Sequence, residues 1–338
     1  MTIKEIAEIA GVSQSTVSLA LNNKGAVKED TKKLIWEIAS KYGYAVSKKN
    51  SEVRRNILLI KYINSGIAFE QNGDFIARII DAIEGASSER KYNIIIKNIA
   101  ADQWEKEIIS INFEEYSGMI FLATEAQDST FKELQALQIP IVVLDNMFEN
   151  VDIDAVVMDN YGGIRMAIQY LYQLGHRNIG YIDSRIKFTN TVQRLNGFKR
   201  AMDELGLRYE DHSIVEVMPT LDRAYQEMLM ELQTKRSLPT AYIAGNDTMA
   251  IGAVKAFREL GIRVPEELSI IGFDDIPFCM MLDHTLTTIR VNKEILGEYA
   301  VKLLDEKINT YSDETVKIIL RPKLVVRQST GIKNPILD

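Results

Sequence analysis

Cysteine, histidine and long apolar runs are scarce in this chain of 338 residues, and each scarcity excludes a class of protein. Cys279 is the single cysteine, so neither an internal disulfide nor a cysteine-rich zinc site can form. No apolar run approaches the roughly 20 residues that a membrane-spanning helix needs. Because the N-terminus also lacks an apolar signal-peptide core, we expect a cytoplasmic protein with no membrane partner.

The motifs that indicate catalysis are absent as well. The sequence has no G-x-S-x-G elbow, no phosphate-binding loop and no G-x-G-x-x-G fingerprint, although Gly162 and Gly163 open a predicted helix. His212 and His284 stand apart from any cysteine or carboxylate that would complete a metal site. We therefore expect no enzyme, no cofactor and no bound metal.

Charge is distributed unevenly along the chain. The net charge is −7, yet residues 1–55 contain ten Lys or Arg against six Asp or Glu, which leaves −11 for the rest. A basic end on an acidic body indicates that only the N-terminal segment contacts phosphate groups. The length suits two or three domains.

The first fifty residues carry signals for three short helices. Thr2 and Glu5 form a capping box, Gly11 interrupts the first helix, and Ser13 is a good N-cap for a second helix over residues 14–22. A third helix is predicted to end at Gly43. The apolar positions at helical spacing are Ile3, Ile6, Ala7, Ile9, Ala10, Val17, Ala20, Leu21, Leu34, Ile35, Ile38, Ala39 and Tyr42.

Two short helices joined by a tight turn, with a third closing the core, form a helix-turn-helix DNA-binding module. Its second helix would enter the major groove, where glutamine can bond adenine, serine several bases, and leucine the thymine methyl group. Hydroxyl and amide side chains nearby suit phosphates. A packing module with a solvated face is the alternative. The predicted DNA-binding residues in this segment are Thr2, Ser13, Gln14, Ser15, Thr16, Ser18, Leu19 and Asn22.

From Ile57 onward, short apolar runs alternate with longer amphipathic runs. Strands are predicted at 57–63, 92–99, 117–123, 139–145, 178–183, 240–245 and 268–275, and helices at 75–89, 161–175, 192–206, 224–233 and 247–261. This alternation predicts parallel sheets covered by helices on both faces. Ligands bind beyond the carboxyl ends of such strands, which makes Asp145, Asn246 and Asp274 candidates. Each is alternatively a structural cap, and Asp275 is expected to turn away.

The chain contains the pattern A-x-x-A-G-V-S-x-x-T-V-S near the N-terminus, and LGHRNIGYI, RLNGF, LTTIRV and LVVRQST in the body. In these motifs both parts of the chain resemble the lac repressor / gal repressor (LacI/GalR) family of transcription regulators. The resemblance implies an all-α helix-turn-helix headpiece followed by an α/β periplasmic-binding-protein-like type I core of two Rossmann-like subdomains. It implies a structural role for His176 in LGHRN. The implied boundaries are 1–46 for the headpiece, 47–56 for the linker or hinge, 57–157 with 290–322 for the N-terminal sensor subdomain, and 158–289 with 323–333 for the C-terminal one.

The linker departs from the family pattern. Val46 stands at the position of a proline, Asn50 and Ser51 replace Ala-Arg, and Val53 takes the place of a leucine that wedges into the minor groove. Lys48 suits a phosphate contact, so the predicted DNA-binding residues extend to Lys48 and Val53. Only twelve residues separate Tyr44 from Ile57, and an ordinary polar linker is the alternative.

Matched by position, the resemblance implies an effector site formed by Phe75, Asp145, Arg194, Asn246 and Asp274. The Arg194 guanidinium can clamp a carboxylate, a phosphate or two sugar hydroxyls. Phe75 can stack on an apolar sugar face or a base, with core packing as the alternative. The expected effector is a sugar or sugar derivative, and a purine or amino-acid derivative stays open.

The resemblance and the missing C-terminal heptad repeat predict a homodimer that binds double-stranded operator DNA through two headpieces. Effector binding in the cleft would shift the population between conformations of different DNA affinity. A transport-type solute receptor is the rival function. That rival requires a signal peptide or a lipoprotein cysteine, and the sequence shows neither.

Overall fold

The computed structural model describes residues 2–21, 27–42, 55–71, 73–148, 151–209, 213–234, 237–310 and 314–333. Among the predictions above, those on Asn22, Gly43, Lys48, Val53 and His212, and on most of the 47–56 linker, lie outside the described residues. By its internal contacts the chain divides into two compact units. One comprises residues 1–55 with 306–314, and the other residues 56–305 with 315–338.

Three helices form the headpiece: α1 Ile3–Ala10, α2 Gln14–Leu21 and α3 Glu29–Lys41. The capping box is present, because Thr2 Oγ1 accepts from the Glu5 amide at 3.3 Å and the Glu5 carboxylate accepts from the Thr2 amide at 2.7 Å. Gly11 ends α1 with φ 67°, a conformation that glycine adopts without strain. Ser13 caps α2 by accepting from the Thr16 amide at 3.1 Å.

The headpiece core contains fewer residues than the apolar spacing predicts. It consists of Ile6, Ala7, Val17, Ala20, Leu21, Ile35, Ile38 and Ala39. The predicted positions Ile9, Leu34 and Tyr42 are exposed instead. Ile9 and Leu34 lie at the margin of their helical faces, and Tyr42 follows the last residue of α3. Trp36, which the spacing did not select, packs against the core and donates its Nε1–H to the Ala20 carbonyl at 3.3 Å.

The larger unit, termed here the sensor body, alternates strands and helices as predicted. Its strands are β1 Arg55–Ile63, β2 Tyr92–Ala100, β3 Gly118–Leu122, β4 Ile141–Leu144, β5 Asp154–Met158, β6 Ile179–Ser184, β7 Ile214–Val217, β8 Ala241–Ala244, β9 Ser269–Asp274, β10 Thr287–Arg290, β11 Lys317–Leu320 and β12 Lys323–Val325. Its helices are α4 Ile67–Gln71, α5 Gly73–Glu89, α6 Trp104–Ser110, α7 Phe131–Leu134, α8 Asn160–Gln173, α9 Thr189–Glu204, α10 Leu221–Thr234, α11 Asp247–Glu259 and α12 Lys293–Asn309.

Two six-stranded sheets result, with strand orders β11-β5-β4-β3-β1-β2 and β12-β10-β9-β8-β6-β7. Neighbours from β11 to β1 in the first sheet and from β10 to β7 in the second pair in parallel, whereas β12 runs antiparallel to β10. All seven predicted strands are present, which confirms the α/β architecture. The subdomain boundaries stay predictions.

The elements that escaped prediction are short or irregularly patterned. Strands β5, β7, β10, β11 and β12 have three to five residues each, too few for a clear alternation of apolar and polar positions. Strands β4 and β8 are equally short, but they lie in the longer runs 139–145 and 240–245, which predicted them. Helix α12 has seventeen residues, but its buried face includes Lys293 and Gly297, which obscure the apolar stripe. Among the described helices, none combines the length and the apolar character that crossing a bilayer requires.

The parallel pairing brings the carboxyl ends of neighbouring strands to one edge of each sheet. In the first sheet Leu122 at the end of β3 is in register with Leu144 at the end of β4. In the second sheet Ile182 of β6 is in register with Ala244 of β8. Loops and first helical turns that follow these ends therefore lie side by side, and the candidate ligand site is built from them.

Candidate functional site

Helix α2 presents a polar surface with one apolar side chain. Gln14 and Ser15 in its first turn are exposed, and Leu19 one turn later is 41% exposed. The Ser13 hydroxyl lies 2.7 Å from that of Ser15 and 2.8 Å from that of Thr16. These bonds fix the start of the helix, whose amides and side chains can approach phosphates and base edges.

A cleft that is open to solvent at its mouth lies at the carboxyl ends of strands from both sheets. All five predicted effector residues line it, so the structure brings together side chains that are far apart in sequence. The lining comprises Ile67, Ala68, Phe75, Ile76, Thr124, Asp145, Met158, Ser184, Phe188, Asn190, Thr191, Arg194, Pro219, Asn246 and Asp274. Their role as effector contacts stays a prediction.

Asp145 and Asp274 each stand at the carboxyl end of a parallel strand with an unusual backbone. Asp145 follows β4 with φ 68°, and Asp274 ends β9 with φ 109°. Positive φ favours glycine, because other side chains collide with their own backbone there. An aspartate kept in such a conformation indicates that its side chain is needed at that point.

Arg194, in α9, is buried and bonded on each nitrogen. Nε donates to Asn160 Oδ1 at 2.8 Å, Nη1 to the Gly245 carbonyl at 2.6 Å, and Nη2 to Asp274 Oδ1 at 3.2 Å. The guanidinium carbon lies 3.7 Å from the centre of the Phe273 ring. This arrangement fixes the plane of the guanidinium and compensates the buried Asp274.

The hydrogen bonds continue from Arg194 through α8 and α9 to the end of β4. Asn160 Nδ2 donates to Asn190 Oδ1 at 2.8 Å, and Asn190 Nδ2 donates to Asp145 Oδ1 at 2.9 Å. Thr124 Oγ1 donates to the other Asp145 oxygen at 2.6 Å. The result is one connected set of side chains, the cleft network. Its members are Thr124, Asp145, Asn160, Asn190, Arg194 and Asp274.

Burial shifts the carboxyl groups of this region toward protonation. It raises the pKa of Asp145 to about 6, although hydrogen bonds from Thr124 and Asn190 act against the rise. Burial also raises the pKa of Asp274, against the charges of Arg194 and Lys293. Asp247, outside the lining, has its pKa raised to about 7 by burial and by the charge of Asp274. It accepts from the Thr288 hydroxyl at 2.6 Å.

Glu125 was not identified from the sequence, yet it fixes one wall of the cleft. It is buried, and its carboxylate accepts from the amides of Asn64, Ser65, Gly66 and Ala68 at 2.7–2.9 Å. Ile67 and Ala68 of that loop line the cleft. A carboxylate that collects four amides behaves as the anion in an anion-binding loop, so Glu125 determines the conformation of this wall.

Asn246 and Phe75, both predicted effector contacts, line the cleft and also have a structural role. Asn246 caps α11 by accepting from the Met249 amide at 2.9 Å, so the cap alternative is confirmed, and its side chain still borders the cleft. Phe75 is 4% exposed and lies with its ring centre 5.4 Å from Lys293 Nζ. Core packing and cleft lining are therefore both true of Phe75.

The remaining predictions concern structural residues. His176 is buried, and its ring nitrogens lie 2.9 Å from the Thr240 hydroxyl and 3.1 Å from that of Ser269. Burial lowers its pKa, which suits a neutral ring that ties these segments together. Asp275 turns away as predicted, toward Arg290 at 2.5 Å and Arg327 at 2.6 Å. In the described part of the chain, no cluster of His, Cys, Asp and Glu could hold a metal.

Sequence reasoning missed Thr124, Asn160 and Asn190 for identifiable reasons. Thr124 lies two residues beyond β3, so the strand-end argument applied to that strand would have found it. Asn160 opens α8 after β5, a strand that was not predicted. Asn190 lies in the first turn of α9, four residues before Arg194, and this spacing places both on one helix face.

Comparison with known proteins agrees with both halves of this description. Residues 2–47 match the profile of bacterial regulatory proteins of the lacI family, and residues 168–330 match that of a periplasmic binding protein-like domain. The HTH-type transcriptional repressor PurR of Pasteurella multocida is 32% identical over 331 residues, which is 97% of this chain and 98% of that protein.

Two further similarities extend over nearly the whole chain. The ribose operon repressor of Haemophilus influenzae is 29% identical over 331 residues, covering 97% of this chain and 98% of that protein. The solved structure of the transcriptional regulator CelR in complex with cellobiose has a TM-score of 0.73 and 25% identity. That match covers 97% of this chain and 99% of the other.

Proposed function

The chain belongs to the lacI family of bacterial regulatory proteins, and on that premise we propose that it is a cytoplasmic transcription repressor whose operator affinity is set by a small molecule in the cleft. Its relatives are named repressors, so it is a regulator and not an enzyme. One observation carries the proposal. A single chain joins a helix-turn-helix with exposed Gln14 and Leu19 to a polar cleft at the carboxyl ends of two parallel sheets.

DNA recognition is assigned to α2. Its exposed first turn offers Gln14 for bidentate bonding to adenine and Ser15 for hydrogen bonding to a base edge. Thr2 and Thr16 lie at helix starts, where side chains and amides suit phosphate oxygens. The DNA partner also supports the cytoplasmic location, since a regulator must reach the chromosome.

The effector is proposed to be a sugar or sugar derivative. Carboxylates, amides and hydroxyls converge on the cleft beside two phenylalanines, and sugars are recognised by such combinations of polar bonds and aromatic faces. Cellobiose is bound by the similar CelR, and a ribose operon is the target named for another relative. These similarities support the class of effector.

A homodimer is proposed as the DNA-binding form. The sensor body exposes Phe278, Met280 and Met281 within one short segment, and Ile95 and Ile96 on the edge strand β2. Contiguous exposed apolar side chains commonly mark an interface, and a two-fold dimer would present two headpieces to two half-sites. Sedimentation velocity at micromolar concentration should give a dimer. A monomer or tetramer would contradict the proposal. Phe278→Glu should weaken the dimer. The control Ile332→Glu, at an exposed site elsewhere, should not weaken it.

Sequence-specific binding is the direct test of the repressor function. Operator fragments are selected from a fragmented genome and measured by fluorescence anisotropy at physiological salt. We expect at least about a thousandfold preference over unrelated DNA. Gln14→Ala should lose about 1–3 kcal/mol at one base pair, and Glu37→Ala, on the exposed side of α3, should lose none. A chain without sequence preference at this salt concentration would refute the function.

A further inference from the structure

The charged side chains that line the cleft already form hydrogen bonds with other protein groups. Among the described lining residues, the charged ones are Asp145, Arg194 and Asp274. Each nitrogen of Arg194 donates to a protein acceptor within 3.2 Å, and one of those acceptors is Asp274. Recognition of a phosphate or carboxylate by arginine uses a pair of parallel N–H groups. Nη2 also donates to Met158 Sδ at 3.1 Å, so four of the five N–H groups are used, and Arg194 cannot supply that pair without breaking its own bonds.

The next cation is engaged in the same way. Lys293 is buried beside Phe75, and its Nζ donates to the carbonyl of Asp274 and, at 3.0 Å, to that of Asp275. Its charge therefore offsets the carboxylate of Asp274 from behind the lining. An anion entering the cleft would face two carboxylates. The two nearby cations, Arg194 and Lys293, already donate to protein acceptors.

The carboxylates suit a ligand that can donate hydrogen bonds. Asp145 accepts from Thr124 and Asn190, and a carboxylate has about four acceptor positions, so further donors can be accommodated. A sugar hydroxyl both donates and accepts, so it can donate to Asp145, whereas the Asn190 side-chain amide already donates to the carbonyl and the carboxylate of Asp145. A phosphate dianion only accepts, so at a pH where both carboxyl groups are ionised it would face Asp145 and Asp274 without a proton between the oxygens.

Apolar side chains lie on both sides of the cleft, next to its polar groups. Ile67, Ala68 and Phe75 contribute from one side, and Phe188 and Pro219 from the other. The faces of a sugar ring that carry C–H groups pack on such surfaces, and aromatic rings are the best partners for these faces. These apolar surfaces themselves offer no hydrogen-bond donor to an anion.

We infer that the effector is an uncharged polyhydroxy compound, and that Asp145 and Asp274 exclude its phosphorylated and carboxylated relatives. The inference rests on the proposed function, because it takes the cleft as the effector site. It deepens that proposal by choosing between the sugar and the sugar-phosphate class.

Matched ligand pairs test the inference on the full wild-type chain. The pairs are ribose with ribose 5-phosphate, glucose with glucose 6-phosphate, and cellobiose with cellobionate, screened by thermal shift and then titrated calorimetrically. We expect the neutral member of at least one pair to raise the melting temperature, and its anionic partner to bind at least about tenfold more weakly. Equal or tighter binding of any anionic member would overturn the inference. Failure of every neutral member to bind would overturn it too.

A charge-removing variant tests the role assigned to Asp145. In Asp145→Asn the ratio of the two dissociation constants in a responding pair should fall by about tenfold, because one carboxylate no longer faces the anion. Asp222→Asn removes an exposed carboxylate at the start of α10 and should leave the ratio unchanged. An unchanged ratio in Asp145→Asn would overturn the assignment. Operator binding measured in parallel without ligand separates the outcomes, since its loss contradicts the repressor function and not the ligand preference.

Discussion

Leu19 is an apolar side chain exposed on the surface of α2, beside the polar side chain of Ser15. It has no part in the headpiece core, whose α2 members are Val17, Ala20 and Leu21. Nothing inside the headpiece therefore explains a leucine at this position. In the major groove the matching apolar group is the thymine 5-methyl, which the other three bases lack.

We predict that Leu19 contacts one thymine methyl group in each half-site. Replacing that thymine by uracil removes a single methyl group and should weaken operator binding about fourfold, the value of one buried methyl. The loss should vanish in Leu19→Ala and persist in Leu34→Ala, which shortens an exposed leucine of α3. Anisotropy titrations on a series of uracil-substituted operators make the measurement. A loss that survives in Leu19→Ala would contradict the contact.

Asp145 predicts a specific pH dependence of stability. Its pKa is about 6 in the folded chain against an ordinary value of 3.8, so between these pH values the folded state binds more protons than the unfolded state. The contribution of Asp145 to the free energy of unfolding is therefore complete below pH 3.8 and is lost as pH rises through 6.

The test compares wild type with Asp145→Asn by urea unfolding at pH 5 and pH 7.5. The stability advantage of wild type should be larger at pH 5 than at pH 7.5, by about 1.4 kcal/mol, because about one pH unit of this interval lies below the folded-state pKa of Asp145. The exposed control Asp222→Asn should show no such trend. An advantage that grows from pH 5 to pH 7.5 would contradict the raised pKa.

The individual site residues were predictable where a simple rule applied. Asp145, Asn246 and Asp274 follow from the rule on strand ends, and Arg194 and Phe75 from the family resemblance. Asn160 and Glu125 were not predictable, because their importance comes from partners more than thirty residues away. A sequence shows which residues are polar, but the bonds of the cleft network exist only once two helices and three strand ends are packed together.

At the scale of elements, the contact between α8 and β9 connects packing to the cleft. A Cβ atom added at Gly163 in α8 would lie 2.7 Å from the ring of Phe273 and 3.1 Å from Ile289. The same ring supports the guanidinium of Arg194 at 3.7 Å. Gly163 thus has a packing explanation, since only a residue without a side chain lets the helix approach the sheet this closely. At Gly162 an added Cβ atom would instead collide with the carboxylate of Asp159, which caps α8.

Gly163→Ala should therefore both destabilise the sensor body and weaken effector binding. Overpacking of this kind costs about 1–3 kcal/mol, and a displaced Phe273 moves Arg194 with it. Gly85→Ala in α5 is the matched control, because nothing lies within 4 Å of its added Cβ and alanine is the better helix former. It should stabilise by about 0.4–1 kcal/mol. Urea unfolding and ligand calorimetry are the measurements, and equal stability of the two variants would contradict the packing argument.

The regular elements were predictable in proportion to their length and pattern. The predicted helix over 247–261 is observed as Asp247–Glu259, and the predicted strand over 57–63 as Arg55–Ile63. The short strands β11 and β12 carry no such signal, and their places are decided by pairing with β5 and β10. Tertiary pairing, which local sequence does not encode, explains these omissions.

For the whole molecule, regulation requires that DNA and effector influence each other equally. If the effector changes operator affinity by some factor, operator DNA must change effector affinity by the same factor. We predict a factor of about 5–150, the usual range of allosteric coupling. Both affinities are measured by titration with and without the other ligand. Equal factors show that both titrations were at equilibrium, and a factor of one would contradict control of DNA binding by the cleft.

The connectivity of the two sheets has a consequence for how the chain is made. β11 near residue 318 completes the first sheet beside β5 near residue 156, and β12 completes the second sheet a few residues later. A ribosome adds about 5–20 residues per second, so on the order of ten seconds pass between the synthesis of β5 and that of its partner β11. The headpiece core, built from Ile6 to Ala39, requires none of these residues. The nascent protein is thus able to complete its DNA-reading core early, while both sheets keep an unpaired strand edge, a hazard for aggregation, until synthesis is nearly over.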